Sequence, residues 1–444
     1  MAAMAYIALR GAALAAIVAL IHWVYRWRHP KCAGTLPPGS MGIPIIGETL
    51  QFFAPNPTCG LSPFVRDRVK RYGSMFKTSI VGRPVVVSAD PDVNHYVFQN
   101  EGKLFESWYP DTFTEIFGRD NVGSLHGFIY KYLKTLMIFD LTAKKLIGYE
   151  PTKSSESLRE NFTAFIRGLI SFPLNIPGTA YHECMEGRKK AMKVLKGMMQ
   201  ERMADPERKC EDFFDHVIQE LRREKPLLTE TIALDLMFVL LFASFETTAL
   251  ALTLGVKLLT ENPRVVDALT TLTERAREQE EHEAIVRNRE DPDAAITWAE
   301  YKSMTFTAQV IMEIVRLANI VPGIFRKALQ DVEIKGYTVP AGWGIMVCPP
   351  AVHLNPDIYE DPLAFNPWRW QDKPEITGGT KHFMAFGGGL RFCVGTDLTK
   401  VLMATFIHNL VTKYRWKTVK GGNIVRTPGL GFPDGFDIQL FPKN

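Results

Sequence analysis

The hydrophobic pattern divides the chain before any chemistry is considered. Ala5 to Tyr25 is almost wholly apolar, broken by Arg10 and His22 and followed by Arg26, Arg28, His29 and Lys31. That run is near the length a helix needs to span a bilayer. No small-residue cleavage site follows it, so it reads as an anchor rather than a removed leader. The basic flank places the remainder of the chain in the cytosol. Leu36 to Gly47, spaced by proline and glycine, reads as a stiff connector. Ser79 to Ser88 predicts two short strands around a Gly-Arg-Pro turn. Leu158 to Ile170 and Tyr181 to Met203 predict helices, joined by Ser171 to Gly178, where two prolines exclude helix and Phe172, Leu174 and Ile176 form an apolar patch. Thr231 to Glu261 predicts a long apolar helix stopped by Asn262-Pro263. Its unbroken run from Asp235 to Ser244 is too short for a bilayer, which makes it a core helix. Val332 to Val339 and Gly344 to Cys348 are strand-like. After Gly395, Leu398, Val401, Leu402, Phe406 and Leu410 fall on a 3.6-residue period and predict a final amphipathic helix.

Composition changes this picture little. With 444 residues and 46% hydrophobic content the chain can bury a large core, and no low-complexity linker divides it after the first fifty residues. The expected organisation is an anchor over 1–28, a basic and proline-rich hinge over 29–48, and one catalytic domain over 49–444. A formal charge of +4 without a basic block excludes a nucleic-acid partner and is compatible with an anionic membrane surface or an acidic protein. Six cysteines without C-x-x-C pairs fit a reducing compartment.

The chemistry concentrates in Phe386-Gly387-Gly388-Gly389-Leu390-Arg391-Phe392-Cys393-Val394-Gly395. Cys393 opens the last helix, where unpaired N–H groups and the helix dipole favour a thiolate. A single thiolate with no companion at ligand spacing is wrong for structural zinc. It suits an axial ligand to haem iron. A second polar cluster, Ala243-Ser244-Phe245-Glu246-Thr247-Thr248, lies inside the long apolar helix, where a carboxylate and two hydroxyls are costly without partners or a task. Threonine hydroxyls bonded back to the helix are the structural alternative. Glu313 and Arg316 stand one turn apart among apolar neighbours, and a buried pair there needs a third group.

The string F-x-x-G-x-R-x-C-x-G resembles the haem-binding loop of the cytochrome P-450 superfamily. Four motifs in that family's order extend the resemblance over nearly everything after Ala33. It implies a mainly α fold with a small β portion. Cys393 would ligate the iron of haem b, Phe386 shield its sulfur, Gly389 and Gly395 permit close approach, and Arg391 and Arg326 reach the propionates. Lys131 or Lys134 is a further propionate candidate, or else part of a solvated basic face. Glu246, Thr247 and Thr248 would supply protons to dioxygen, with Ser244 standing where the family usually has glycine. Arg369 would complete the Glu313–Arg316 pair. Trp108, Tyr109, Phe113 and Phe117 fall in a pocket-covering region, although core packing accounts for them equally well. Val321 to Phe325 and Gly429 to Pro433 would line the pocket. Around Met137 the chain is short for the family, as if one helix and a short strand were deleted, which should leave apolar surface uncovered on the long helix and the last helix. The implied reaction is monooxygenation of a small hydrophobic substrate with electrons from NADPH-cytochrome P-450 reductase, in the endoplasmic reticulum membrane. The sequence style is similar to plant family eighty-seven, related to brassinosteroid and triterpenoid oxidases. The alternatives are a haem-thiolate isomerase or dehydratase that needs no O2, and a catalytically impaired haem-binding membrane protein lacking one helix.

Overall fold

The structure is a computed structural model and describes residues 2–109, 115–117, 165, 174–205, 207, 212–270, 281–291, 294–371 and 380–443. Lys131, Lys134, Phe113 and the short stretch at Met137 lie outside these. The first helix, Ala2–Arg28, is exposed over residues 10–23 and touches the body at its end, where the Trp27 indole donates to the Met41 carbonyl at 3.2 Å. The hinge that follows is more than a spacer. Gly39 bridges Lys77, and Gly47 bridges Ile80, so the segment is laid along the first strand of the sheet.

That sheet has five strands. Strands β1 (Met75–Ile80) and β2 (Arg83–Ser88) form a hairpin in register Met75↔Ser88. With β3 (Phe105–Ser107), β4 (Ile324–Ala328) and β5 (Gly344–Val347) the order is β1-β2-β5-β4-β3: β5 joins β2 in parallel, β4 pairs antiparallel with β5, and β3 closes the edge. Val85, Val86 and Val87 are consecutive and all fully buried, as a strand covered on both faces requires.

Helices form the larger layer. The central helix, Glu230–Glu261, is started by the Thr229 hydroxyl, which accepts from the Ile232 N–H, and is stopped at Asn262-Pro263. It is long and apolar enough to cross a membrane. It packs instead against Ala180–Met203, Thr305–Ala318 and Thr396–Lys413, which makes it a core helix. Leu236 and Phe238 near one end and Leu254 and Leu259 near the other are fully buried, each contributing roughly 1.5–3 kcal/mol. The final helix, Thr396–Lys413, departs from the predicted stripe. Met403, Ala404, Ile407 and Val411 are buried, while Leu402 and Phe406 are 44% and 39% exposed. Leu410 of the predicted stripe is buried and Leu398 packs against the core, so periodicity located the helix and only part of its covered face.

The loop before that helix is held in shape from outside. Gly387 and Gly389 have φ of +75° and +64°, and a Cβ on Gly389 would stand 2.3 Å from the Phe98 carbonyl oxygen. Gly395 differs, since a Cβ there would meet nothing nearer than the Cys393 sulfur at 3.8 Å. The expected close approach at Gly389 is therefore to the protein's own helix Pro91–Gln99. Upstream of the loop, the Met384 N–H donates to His353 Nε2 at 3.0 Å, so His353 Nδ1–H donates to Asn319 Oδ1 at 2.7 Å. Burial and the neighbouring Arg316 cation hold this imidazole neutral, pushed down to about 3. His282 and His408, 2.9 Å apart through their Nδ1 atoms, are likewise lowered by burial, to about 3 and about 4.

Two outcomes are expected. Gly389→Ala combines a forbidden φ with a backbone clash and lowers stability by about 1–3 kcal/mol, whereas Gly395→Ala leaves thermal unfolding of the haem-free chain within about 0.5 kcal/mol of the parent. Denaturation midpoints of the two variants make the comparison, and equal midpoints would place the constraint elsewhere. The second concerns acid. His353 has a folded pKa below its unfolded one, so its stabilisation is complete above pH ~6.5 and is lost as pH falls toward 3, at about 1.4 kcal/mol per pH unit. His353→Gln should take up about one proton fewer on unfolding near pH 5, as measured from the pH dependence of urea midpoints.

Candidate active site

Two stretches of the described residues, the loop at Cys393 and the middle of the central helix, are exposed or half-buried in an otherwise well packed fold, and the expected chemistry lies on both. The first is the loop ending at Cys393. Its N–H donates to the Phe386 carbonyl at 2.9 Å, and its own carbonyl accepts from the Thr396 hydroxyl at 2.8 Å. The backbone is thus fastened on both sides while the residue is exposed. Phe386 packs partly against the core beside Phe392, ring centroids 6.4 Å apart.

The second surface is the middle of the central helix. Burial is high toward both ends of that helix and falls between them, where Ala243 is exposed and Ser244, Glu246 and Thr247 are half-buried. Thr247 donates its hydroxyl to the Ala243 carbonyl at 2.5 Å, and Ser244 donates to the Leu241 carbonyl at 3.3 Å. The back-bonded alternative is therefore the geometry adopted, and it parks the hydroxyls without removing them from the uncovered face. Thr248 is buried. Burial alone raises the Glu246 carboxyl above the ordinary carboxylate range, which favours its proton-holding form.

Arg326 and Arg391 come together, although 65 positions separate them. A third residue, which the sequence reading did not single out, joins them. Glu101 accepts from Arg326 Nε at 3.0 Å through one oxygen and from Arg391 Nε through the other. A buried acid in the turn between helix Pro91–Gln99 and β3 is the only signal that marked it.

Glu313 is fully buried and receives Arg316 Nε at 2.9 Å, Arg369 Nε at 2.9 Å and the Trp370 indole at 3.0 Å. This constellation stands behind the loop, on helix Thr305–Ala318 and the turn Pro367–Trp370, and touches neither uncovered surface. Trp108 and Tyr109 present their ring edges to Phe325 at 6.0 and 6.1 Å, against the strand that carries Arg326. Leu430, in the C-terminal turn, packs with Leu254 of the central helix. Leu174 and Ile176 are exposed, on the loop expected to present an apolar patch.

Comparison with known proteins reaches the same place from the whole sequence. The family profile described as Cytochrome P-450 matches residues 151–433. Cytochrome P-450 87A3 of Oryza sativa subsp. japonica is 77% identical over 99% of this chain and 93% of its own length. That alignment runs over 485 positions against 444 residues here, which leaves at least 41 positions of the rice protein without a counterpart. The beta-amyrin 16-alpha-hydroxylase of Maesa lanceolata is 41% identical over 99% of both chains. A retinoic-acid-bound cyanobacterial structure superposes with a TM-score of 0.77, covering 93% of this chain and 100% of its own, at 24% identity, and so shares the fold. Mainly helical, with a small sheet beside the site and close relatives along its whole length, the chain belongs to the cytochrome P-450 family.

Proposed function

We propose that this protein is a membrane-anchored haem-thiolate monooxygenase that hydroxylates a hydrophobic plant metabolite of triterpenoid or steroid type. One observation carries the reading: an exposed cysteine on a tethered loop and the uncovered polar midsection of a core helix, in a fold otherwise well packed. The residues fit haem b. Cys393 is the thiolate ligand, Gly395 leaves open space beside the sulfur, and two guanidiniums share one carboxylate where two propionates would lie. Phe386 shields the sulfur, and Gly389 shapes the loop from behind. Lys131 or Lys134 is a further propionate donor.

The iron porphyrin, when bound, supplies the reductive activation of O2. The chain supplies the rest. Thr247 offers a hydroxyl on the uncovered face with the buried Thr248 next to it, and Glu246, its carboxyl raised above the ordinary carboxylate range by burial, holds a proton within that stretch more readily than an exposed carboxylate would. Ser244 adds another hydroxyl at a position where glycine would leave a plain groove. Electrons come from an NADPH-dependent reductase. The helix Ala2–Arg28, exposed along its apolar length, is the anchor in the endoplasmic reticulum membrane, with the catalytic domain in the cytosol. The substrate class rests on the likeness to the beta-amyrin hydroxylase.

A second reading is favoured by one finding. At least 41 positions of the rice relative have no counterpart here, and such a loss points to a chain that holds haem poorly. The carbon-monoxide difference spectrum of the reduced protein separates the two, since only a haem-loaded thiolate protein gives the thiolate-type band.

Cys393→Ser should abolish that band while the fold persists, because an alcohol does not ionise in place of the thiol; a retained band would remove Cys393 from the role of ligand. Thr247→Ala should still consume NADPH but divert it to hydrogen peroxide, with product formation falling on the order of a hundredfold. Unchanged product per NADPH would take Thr247 out of proton delivery.

A further inference from the structure

We infer that Glu101 is a positioning residue that sets the place and spacing of the two arginines assigned to the haem propionates. The inference rests on the haem reading above and concerns a residue that neither the loop motif nor the central helix contains. Glu101 is 7% exposed and sits in the turn after helix Pro91–Gln99, where the Gly102 N–H donates to the Phe105 carbonyl at 2.7 Å and fixes the turn. One carboxylate oxygen takes Arg326 through both Nε and Nη2 at 3.0 Å, and the other takes Arg391 through Nε. The remaining Arg326 terminal nitrogen donates to the Phe325 carbonyl at 2.8 Å, so that guanidinium is oriented on two sides.

The arginines come from different structures. Arg326 lies on β4 and Arg391 in the short turn Gly389–Arg391 of the cysteine loop. Two like charges brought together in a buried place repel, and a carbonyl of one strand, as at Phe325, does not set the separation between two elements. A carboxylate between them does so, and within this trio it leaves one net positive charge. The alternative role, a latch that occupies the arginines and competes with the propionates, requires the carboxylate to leave when haem arrives. Glu101 would then lie buried and unpaired, which the fixed turn and the low exposure disfavour.

The full-length, haem-reconstituted protein and its Glu101→Gln and Glu101→Asp variants make the test, with apomyoglobin as haem acceptor. Glu101→Gln should release haem about 10- to 100-fold faster than the parent, as expected for loss of a group that orients cofactor ligands. Its haem reduction potential should rise, because a negative charge near the iron is gone, and Glu101→Asp should recover part of both changes. A residue that only stiffened the fold would lower the denaturation midpoint and leave the potential where it was. Equal release with equal potential in Glu101→Gln would overturn the inference, and slower release would assign the latch instead. Should Glu101→Gln not accumulate, Glu101→Asp makes the test through haem release alone, which should be faster than in the parent because the shorter side chain cannot reach both arginines, and equal release would overturn the inference. A parent protein that takes up no haem would overturn the haem reading itself, and this inference with it.

Discussion

The carboxylate of Glu313 is the point on which the parts of the fold depend. Fully buried, it accepts from Arg316 one turn away, from Arg369 and the Trp370 indole more than fifty positions on, and from the Asn366 N–H at 3.1 Å. Arg316 in turn donates to the carbonyls of His353 and Pro362, both at 2.7 Å. Such a network is not there for net stability, because desolvating two arginines and a carboxylate cancels most of their attraction. What it provides is uniqueness. Any arrangement that displaced one member would leave a buried charge unpaired at a cost of about 3–5 kcal/mol, so helix Thr305–Ala318 and the segment 362–370 have one relative placement. His353, whose carbonyl is in the network and whose ring holds Met384, extends that placement to the start of the cysteine loop.

The parts of this architecture that could be read in the sequence are those whose physics is local. The central helix has its stop at Asn262-Pro263, and the cysteine loop declares itself through spacing within ten residues; the hairpin was expected too, but its turn falls at Val81-Gly82 and not at Gly-Arg-Pro, since Arg83 and Pro84 already pair in the second strand. Glu313 and Arg316 were visible as a pair for the same reason. Arg369 could be named only through the family likeness. Glu101 and His353 were not read at all, because their partners lie 225 and 290 positions away in one case and 31 and 34 in the other. The buried face of the last helix was legible only in part, at Leu398 and Leu410, for a different reason. Periodicity reports which residues are apolar, and Leu402 and Phe406 are apolar without being covered.

The same limit governs the glycines. Three in a row suggest freedom to lie against a flat ligand, yet Gly388 and Gly389 are required by Phe98, whose ring and carbonyl leave no room for a Cβ. The helix Pro91–Gln99 is therefore a template for the loop, and Glu101, just beyond its end, is on the same template. One short helix thus shapes the loop backbone at Gly389 and fixes the arginines beside it.

The central helix shows how a polar stretch can persist in an apolar element. Its ends bury Leu236, Phe238, Leu254 and Leu259, and those contacts pin the helix whatever its middle does. In the middle, Thr247 and Ser244 satisfy their hydroxyls on carbonyls of their own helix, so neither needs a fixed external partner and either can turn outward at little cost. Among the described residues Glu246 has no such outlet. Burial raises its pKa, so its neutral form favours the fold, an advantage lost as pH rises from the ordinary carboxylate range through the raised value. The raised carboxyl keeps its proton more readily than an exposed one and lies beside hydroxyls bonded only to their own helix. The cost to the helix is confined to the one section that carries none of the packing.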